Sequence, residues 1–343
     1  MKTIHCKEPN DTSLALAADI IKRGGLVAFP TETVYGLGGN ALNADAAEKI
    51  YAAKGRPSDN PLIVHLSEYA QAERYCVGGE MLHRLAEAFW PGPLTVVVPK
   101  REIIPSEVTG GLDTVAIRIP EHPVARRLIE LAGVPIAAPS ANLSGKPSPT
   151  SYRHIEQDLD GIVDMLIDGG DCRIGLESTI VRIDGEDRLS LLRPGGITLE
   201  MLAPFAKGGI MIDACVTTKL KDGQRPLAPG MMYRHYAPDS PLILLSGEEE
   251  KIKIFINEKI RLSERFGLLC YEEDVEYLSL PMAVSLGKRN DIADQAHRLF
   301  ACLRHFNEMH PDVIYARMPD RSGMGLAVFN RLIKAAGYEI MEL

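Results

Sequence analysis

Apolar residues along the first part of the chain switch between helical spacing and short continuous runs. Between Asp11 and Gly25 they recur every three or four positions, which predicts a helix with a polar cap and a glycine stop. The apolar run Leu26–Phe29 follows at once and predicts a strand. The same alternation predicts further helices near 45–54, before residue 90 and at 124–131, with strands at 62–66, 94–98, 115–119, 136–138, 165–167, 179–183 and 189–192. Because the last strands are short and closely joined, the pattern favours a mixed α/β sheet.

Regular periodicity fades after about residue 205, where prolines and glycines punctuate the stretch KLKDGQRPLAPGMMYRHYAPDSP. Such a stretch is typical of a linker between domains. Beyond it, the pattern predicts strands at 242–245, 268–271, 277–280 and 313–316 and helices near 249–260, 291–309 and 325–336. The sequence therefore predicts a first α/β domain over 1–206, a linker over 207–240 and a smaller Rossmann-like α/β domain over 241–343.

Composition removes several classes of protein. The chain has 343 residues and a formal net charge of −8, which argues against a protein that is held to nucleic acid by bulk positive charge. No apolar run approaches the ~20 residues that cross a bilayer, and the first residues lack the apolar core of a signal peptide, so we expect a cytoplasmic protein without a membrane partner. The six cysteines are scattered without a CxxC pair, which disfavours a zinc site and predicts buried, unreactive thiols.

The strand that ends at Phe29 leads into the segment FPTETVYGLGGN, where hydroxyl side chains crowd the strand's exit before a glycine-rich turn. Ligands of open α/β sheets bind outside strand ends, which makes Thr31 a candidate binding residue. The alternative is that the threonines cap the next turn and Tyr35 packs beneath it. A Walker sequence is absent, and five residues separate Pro30 from Gly36, so these glycines do not form the turn of a dinucleotide fingerprint.

Two cations stand two positions apart in the segment AAKGRPSDNPLIVHL. Side chains at such spacing point apart on a regular helix, but a loop stiffened by Pro57 lets Lys54 and Arg56 converge on a polyphosphate or a pair of carboxylates. The alternative is a basic helix end that balances the helix dipole. His65 lies on the apolar strand that follows. The alternative to a ligand-binding role is a core histidine whose ring nitrogens have hydrogen-bond partners within the protein.

Two further segments, a strand and a loop, carry polar residues that need hydrogen-bond or ionic partners. Arg118 interrupts the apolar strand TVAIRIP, and a buried arginine needs an anion. The loop PSANLSGKPSPT offers hydroxyls, amides and backbone N–H groups but no proton-transfer catalyst. The candidate residues along the chain are cations and hydroxyls, namely Lys54, Arg56, Arg118, Arg193, Thr31, Ser140 and Ser178. No Ser-His-Asp order accompanies them, so the pattern predicts a site that holds anions, as nucleotidyl transfer requires.

A series of ordered segments resembles the YrdC family of threonylcarbamoyl-AMP synthases: PTETVYGLG, RPSDNPLIVH, WPGPLT, DTVAIRIP, SANLSG, ESTI and LLRPG. The family's Lys-x-Arg and Ser-x-Asn signature stands here as Lys54-Gly-Arg56 and Ser140-Ala-Asn142. The linker and the last hundred or so residues resemble the long, two-domain form, so the resemblance covers essentially the whole chain. It implies a twisted, open, mixed sheet with helices for the first domain.

The resemblance implies an enzyme that makes L-threonylcarbamoyl-AMP and pyrophosphate from L-threonine, bicarbonate or CO2, and ATP, with Mg²⁺ accompanying the nucleotide. It implies catalytic roles for Lys54 and Arg56. The implied L-threonine site consists of Thr31, His65, Arg118 and Ser178. The implied ATP site consists of Lys54, Arg56, Asn60, Ser140, Asn142, Ser148, Arg193, His235 and Tyr236. It leaves the metal ligands open.

By the same resemblance, the product passes to a threonylcarbamoyl transferase machinery that modifies an adenosine next to the tRNA anticodon, and direct tRNA binding by this chain is not required.

We also expect the linker segment 233–236, which lies between two prolines, to fold over the nucleotide as a lid that excludes water. The alternative is a passive tether.

Two competing functions stay open on the sequence. One is an RNA-binding module without catalysis, which the net charge and the lack of aromatic residues within a basic run disfavour. The other is carbamoyl transfer in hydrogenase maturation, where similar modules occur together with zinc-finger cysteine pairs that this chain lacks.

Overall fold

The computed structural model of the chain describes residues 2–218, 226, 228–229 and 235–343. It divides into two compact units, the first formed by Met1–Ser144 and Ser148–Tyr233 and the second by Gly145–Pro147 and Arg234–Leu343. Part of the predicted linker over 207–240, including Tyr233 and Arg234 of the predicted lid, lies outside the described residues. Each unit has helices and a sheet of its own, as the α/β pattern predicts.

The first unit is built on one mixed sheet. Its strands are β1 (Ile4–Cys6), β2 (Val27–Phe29), β3 (Gly36–Asn40), β4 (Ile63–His65), β5 (Leu94–Pro99), β6 (Thr114–Arg118), β7 (Ile136–Ala137), β8 (Met165–Ile167), β9 (Thr179–Ile183), β10 (Arg188–Arg193) and β11 (Gly209–Ile212). Its helices are α1 (Asp11–Lys22), α2 (Ala44–Lys54), α3 (Gly79–Phe89), α4 (Ser106–Thr109), α5 (Pro123–Ala132), α6 (Tyr152–Leu159) and α7 (Leu199–Leu202). The strands lie in the order β1-β8-β2-β3-β7-β4-β6-β5-β9-β10-β11, so strands distant in sequence become neighbours.

Caps fix the start of α1 and the end of α2. Asn10 accepts the N–H groups of Thr12 and Ser13 and in turn donates its own N–H to Ser13 Oγ, which starts α1 where the pattern predicts a helix. Gly55 follows α2 with a φ of 61°, a left-handed conformation that glycine adopts without strain. This turn redirects the chain directly after Lys54.

The predicted glycine-rich turn after residue 35 is wrong, because Gly36–Asn40 forms strand β3. It pairs with β2 on one side and β7 on the other. A Cβ on Gly38 would lie 2.7 Å from the ring of Phe29 and 2.8 Å from Ile136. The glycines therefore let bulky neighbours pack against the strand backbone, which a turn signal in the sequence does not reveal.

The second unit is built on a parallel sheet. Its strands are β12 (Leu242–Ser246), β13 (Phe266–Cys270), β14 (Ala283–Ser285), β15 (Val313–Arg317) and β16 (Ile340–Glu342). Its helices are α8 (Glu249–Arg261), α9 (Val275–Leu278), α10 (Ile292–Met309) and α11 (Gly325–Ala335). All the strand pairs run parallel, in the order β14-β13-β15-β12-β16, which agrees with a Rossmann-like α/β fold.

The predicted strand at 277–280 is wrong, because α9 occupies Val275–Leu278 and the strand comes later as Ala283–Ser285. Tyr277 is buried in the core with Phe266 and Leu268, and it reaches this position from a helical turn. A short apolar run satisfies either structure, so its periodicity alone could not separate them.

The cysteines behave as their scattered positions predict. None of the six forms a disulfide bond and all are buried, and burial raises the pKa of the Cys76 thiol to about 11 and that of Cys302 to about 12. Within the residues that the structure describes, no helix has both the length and the apolar character needed to cross a membrane.

Candidate active site

Strand pairing brings several predicted site residues to one edge of the first sheet. His65 ends β4 and pairs directly with Arg118, which ends the parallel strand β6. The antiparallel strand β5 begins at this edge, and its first residue pairs with Thr179 at the start of β9. Arg193 ends β10 at the same edge. The topology thus assembles His65, Arg118, Arg193 and the residue before β9, Ser178, from four separate strands.

Arg118 is buried, with 4% of its surface exposed, and it has an anion partner as the sequence requires. That partner is Glu32, whose Oε1 accepts from Arg118 Nη2 at 2.6 Å, while Gly92 O accepts from Nε at 3.3 Å. Arg118 Nη1 donates to nothing in the described part of the chain. A buried guanidinium with an unfilled pair of N–H groups is suited to bind a carboxylate or a phosphate.

The sequence did not identify Glu32 as the partner of Arg118, although Glu32 belongs to the candidate site. Its second oxygen, Oε2, accepts the backbone N–H of Glu121 at 3.1 Å, so both carboxylate oxygens are engaged. The available signal was a charged residue between two threonines at a strand exit. Nothing in the sequence joins that position to an arginine 86 residues away.

His65 lies next to Arg118 as an uncharged imidazole. Burial, and then the charge of Arg118, lower its pKa from 6.5 to about 3. Its Nδ1 lies 3.2 Å from Ile63 O, and its ring stands edge-on to Phe29 with centroids 6.3 Å apart. His65 can therefore offer a neutral polar ring to a ligand, but it adds no positive charge near neutral pH.

Arg193 and Ser178 form a second polar group at the same edge. Arg193 Nε donates to Ser178 O at 3.0 Å, and Nη2 donates to Ser178 Oγ at 3.1 Å. Arg193 Nη1 donates to Pro229 O at 3.2 Å, and Ser178 Oγ lies 2.7 Å from Thr95 Oγ1. These contacts fix the guanidinium and the hydroxyl with respect to each other.

Thr31 closes its own turn in this structure. Its Oγ1 donates to Val34 O at 2.6 Å and accepts the N–H groups of Thr33 and Val34 at 3.1 and 3.2 Å. The interpretation that the threonines of this segment cap a turn therefore describes Thr31 correctly. Thr31 directly precedes Glu32, the residue that contacts Arg118.

Lys54 fixes the loop that carries the Ser-x-Asn signature. Its Nζ, buried at the end of α2, donates to the backbone oxygens of Ser140 and Asn142, and its own carbonyl accepts the N–H of Ser144 at 2.8 Å. Ser140 Oγ donates to Asn142 Oδ1 at 2.5 Å. The two halves of the family signature are thus brought together by direct contact.

Arg56 contacts a different segment from Lys54. Its Nε donates to Asn60 O at 3.3 Å and its Nη2 to Pro61 O at 3.1 Å, so these bonds turn it back on its own loop. The side-chain amide of Asn60 is buried, and neither its oxygen nor its nitrogen has a partner in the described structure. Such an amide is a place where a polar ligand would complete the hydrogen bonding.

A buried serine and carboxylate link the signature loop to the strand edge. Ser148 Oγ donates to Glu177 Oε1, and Glu177 directly precedes Ser178. Pro149 O, one residue further, accepts the N–H of Tyr35 at 2.9 Å. The predicted ATP residues of this loop are therefore tied to the edge where Ser178 and Arg193 lie.

His235 and Tyr236 are described in the second unit, where they pack on its helices. Tyr236 is buried, and its ring centroid lies 5.3 Å from that of Phe300 and 5.5 Å from the guanidinium carbon of Arg331. The His235 ring lies 5.5 Å from that of Tyr236. Their contact with ATP stays a prediction.

The chemistry of the first unit's site is that of binding and charge compensation. The Cys172 thiol is buried and its pKa is raised, and burial also raises the pKa of Tyr35, so neither is an activated nucleophile. Over the described ranges, no three or more acidic, histidine or cysteine side chains cluster as metal ligands would. The site combines arginines, a lysine, hydroxyls and amides, which is the composition of an anion-binding site.

Comparison with known proteins decides the family. A family model described as "Telomere recombination" (Sua5, YciO and YrdC proteins) matches residues 19–195, and one described as "Threonylcarbamoyl-AMP synthase, C-terminal domain" matches 197–337. The chain belongs to the Sua5/YciO/YrdC family. The second match confirms the long, two-domain form.

Relatives over the full length carry one name. A threonylcarbamoyl-AMP synthase of Bacillus subtilis is 46% identical over 97% of this chain and 95% of its own length. One of Pyrococcus abyssi is 46% identical over 96% of each chain. The crystal structure of P. abyssi Sua5 complexed with L-threonine covers 100% of both chains at 43% identity with a TM-score of 0.89. This chain is an enzyme of the nucleotidyltransferase type.

Proposed function

We propose that the chain is an L-threonylcarbamoyladenylate synthase, which converts L-threonine, bicarbonate or CO2, and ATP into threonylcarbamoyl-AMP and pyrophosphate. The observation that carries the proposal is the buried Arg118 fork with unfilled N–H groups at the sheet edge. A carboxylate is the natural partner of such a fork. The names of the full-length relatives and the L-threonine in the P. abyssi structure support threonine as the substrate whose carboxylate binds there.

On the threonine side, each residue has a task that its contacts support. Arg118 Nη1 binds the α-carboxylate while Glu32 and Gly92 hold the rest of the guanidinium in place. Ser178 and the neutral His65 supply hydrogen bonds for the hydroxyl group of the substrate. Thr31, which precedes Glu32 and uses its Oγ1 to close its own turn, is proposed to line the same pocket.

On the ATP side, the signature loop and the cations together bind the nucleotide in the proposal. Lys54 and Arg56 offset the charge that develops on the phosphates in the transition state. Asn60, with its unpartnered buried amide, binds a polar group of the nucleotide. The remaining ATP-binding residues of the proposal are Ser140, Asn142, Ser148, Arg193, His235 and Tyr236.

The reaction needs positioning more than it needs an acid or a base from the protein. The threonine amine adds to CO2 with loss of a proton, or to bicarbonate with loss of water, and gives a carbamate. A carbamate oxygen then attacks the α-phosphorus of ATP, and pyrophosphate leaves as the P–O bond to the β-phosphate breaks. Every reactant after the first step is an anion, which fits a site of cations and hydroxyls without an activated nucleophile.

Mg²⁺ is proposed as the companion of ATP. This ion commonly takes one or two protein carboxylates and completes its shell with phosphate oxygens and water. Both oxygens of Glu32 are engaged, and Glu177 accepts from Ser148, so the donors present suit a metal carried mainly by the triphosphate. When bound, the ion neutralises phosphate charge, and Lys54 and Arg56 provide the protein's share of that task.

We also propose that the labile product passes to a separate threonylcarbamoyl transferase that modifies tRNA.

The test of the enzyme assignment is pyrophosphate release by purified protein with ATP and Mg²⁺, with threonine and bicarbonate supplied together and then omitted in turn. Release that requires both is expected. Release that ignores either one, or none at all, contradicts the proposal. Steeply salt-sensitive RNA binding in place of turnover would instead favour an RNA-binding module.

A further inference from the structure

Glu32 and Arg118 form a buried ion pair in the proposed threonine pocket. Each has only about 4% of its side chain exposed, and the Nη2–Oε1 distance is 2.6 Å. The backbone N–H of Glu121 holds the second carboxylate oxygen at 3.1 Å. The carboxylate of Glu121 itself contacts the exposed side chain of Arg173. Glu32 is therefore the anion that balances Arg118.

The pocket would have a different selectivity without that balance. A buried, unpaired guanidinium attracts any anion that reaches it, and bicarbonate, pyrophosphate and nucleotide phosphates are all present during the proposed reaction. With Glu32 in place, the pair has no net charge, yet Arg118 Nη1 still offers N–H groups to a carboxylate. The neighbouring His65 is uncharged and does not restore a positive potential.

We propose that Glu32 is a specificity-determining residue: by neutralising Arg118, it makes this pocket select an amino-acid zwitterion over a monoanion that lacks the ammonium group. The ammonium of a zwitterion is tolerated beside a neutral pair and is repelled by an unbalanced arginine. A monoanion gains from the unbalanced arginine instead. The inference rests on the proposed function, because it takes Arg118 as the partner of the substrate carboxylate.

The test compares two ligands that differ by the ammonium group, L-threonine and (R)-3-hydroxybutyrate. Their Kd values are measured by calorimetry at fixed ionic strength on the wild-type chain and on Glu32→Gln. The ratio of the hydroxybutyrate Kd to the threonine Kd is expected to fall by about tenfold or more in Glu32→Gln, the scale of one buried unit charge a few ångströms away. A loosened pocket would weaken both ligands alike and leave the ratio unchanged.

Two further variants separate charge from structure. Glu32→Asp keeps the charge but shortens the reach, so both ligands weaken while the ratio stays within about twofold of wild type. Glu121→Gln removes a nearby exposed carboxylate but keeps the backbone N–H that Glu32 accepts, and its ratio is also expected to stay unchanged. A ratio that shifts equally in Glu121→Gln and Glu32→Gln would overturn the proposal.

The wild-type chain alone also tests the inference, should Glu32→Gln fail to fold. Hydroxybutyrate that binds wild type as tightly as threonine, and displaces it, would overturn the role of Glu32. Failure of the proposed function has a different signature, namely threonine binding that does not weaken in Arg118→Gln. If threonine depends on Arg118 but the ligand ratio is the same in Glu32→Gln, only the inference about Glu32 fails.

Discussion

Each unit places a buried arginine as the last residue of a β-strand, Arg118 on β6 and Arg317 on β15, and the two differ in how their donors are used. Arg317 gives Nη1 to Glu249 at 2.6 Å and Nη2 to Asp274 at 3.1 Å. Arg118 gives only Nη2 to a carboxylate, and its Nη1 has no acceptor in the described residues. Position at a strand end is therefore shared. The terminal N–H groups differ, because both Nη atoms of Arg317 donate to carboxylates, although its buried Nε has no partner, whereas Nη1 of Arg118 has no acceptor among the described residues.

Arg317 belongs to a network of ion pairs. Arg289 contacts the same two carboxylates, at 3.1 Å to Glu249 and 3.3 Å to Asp274, and stacks over the Tyr271 ring at 5.1 Å. Desolvation opposes the effect of the two arginines on Glu249, but the arginines prevail and lower its pKa to about 2. Two cations and two anions offset one another's charge, which is what a structural network needs and a ligand site does not.

Replacing Arg317 is expected to have the largest effect, and on stability. Arg317→Met leaves buried Asp274 without its closest partner, which costs about 3–5 kcal/mol of unfolding free energy. Urea denaturation measures the loss. The matched control, Arg298→Met, removes an exposed pair with Asp294 and should cost below about 1 kcal/mol. At a temperature where the variant is folded, unchanged turnover is expected, and a specific loss of threonine affinity would break the comparison.

Replacing Arg118 is expected to act on substrate binding. Arg118→Gln removes the proposed carboxylate fork, and kcat/KM for threonine should fall about a hundredfold or more, the scale of one preorganised charged contact. The KM for ATP should stay within about threefold, since ATP uses other residues in the proposal. Arg127→Gln, which breaks an exposed pair with Asp11, serves as the control. Equal losses for the two substrates would point to general damage.

Lys54 and Arg56 are expected to contribute to the transition state. Lys54→Ala and Arg56→Ala should each cost at least ~2–3 kcal/mol in transition-state stabilisation. Steady-state rates measure this, with Lys49→Ala on the same helix as the control. A loss below about tenfold in rate for both variants would contradict the catalytic assignment.

The smallest effect, taken per pH unit, concerns the loss of stability that His65 causes in acid. Its folded-state pKa is about 3 against an ordinary value of 6.5, so the unfolded chain binds one more proton within that window. The contribution is therefore complete above pH 6.5 and is lost as the pH falls toward 3. His65→Asn should reduce the pH slope of the unfolding free energy by up to about 1.4 kcal/mol per pH unit in that range. An unchanged slope would contradict the neutral, buried imidazole.

The same contrast shows which parts of the structure the sequence could predict. Helical stripes and apolar runs located most elements, and the interruption of an apolar strand by Arg118 correctly demanded an anion. The identity of that anion, Glu32, depends on a contact across 86 positions that no local pattern encodes. Likewise, glycines that allow close packing in β3 resemble turn glycines in sequence, because only the neighbouring strands distinguish the two.

Within the second unit, prediction stopped at the fold. Its network of ion pairs joins residues from four strands. Three of them, Glu249, Asp274 and Arg289, lie just after β12, β13 and β14, and Arg317 ends β15, so no local sequence pattern indicates that they meet. The unpartnered amide of Asn60 in the first unit is equally invisible, since it is defined by contacts that are missing. Sequence patterns identify residue types and elements, whereas unfilled hydrogen bonds appear only in the folded chain.

The most direct test of the proposed reaction is a rapid-quench mass spectrum of the nucleotides formed from ATP, L-threonine and ¹³C-bicarbonate. We expect an AMP adduct that carries threonine and one labelled carbon, formed in step with pyrophosphate and lost in Arg118→Gln. Pyrophosphate formed without any nucleotide that carries both threonine and the label, even at the earliest quench, would contradict the proposed reaction.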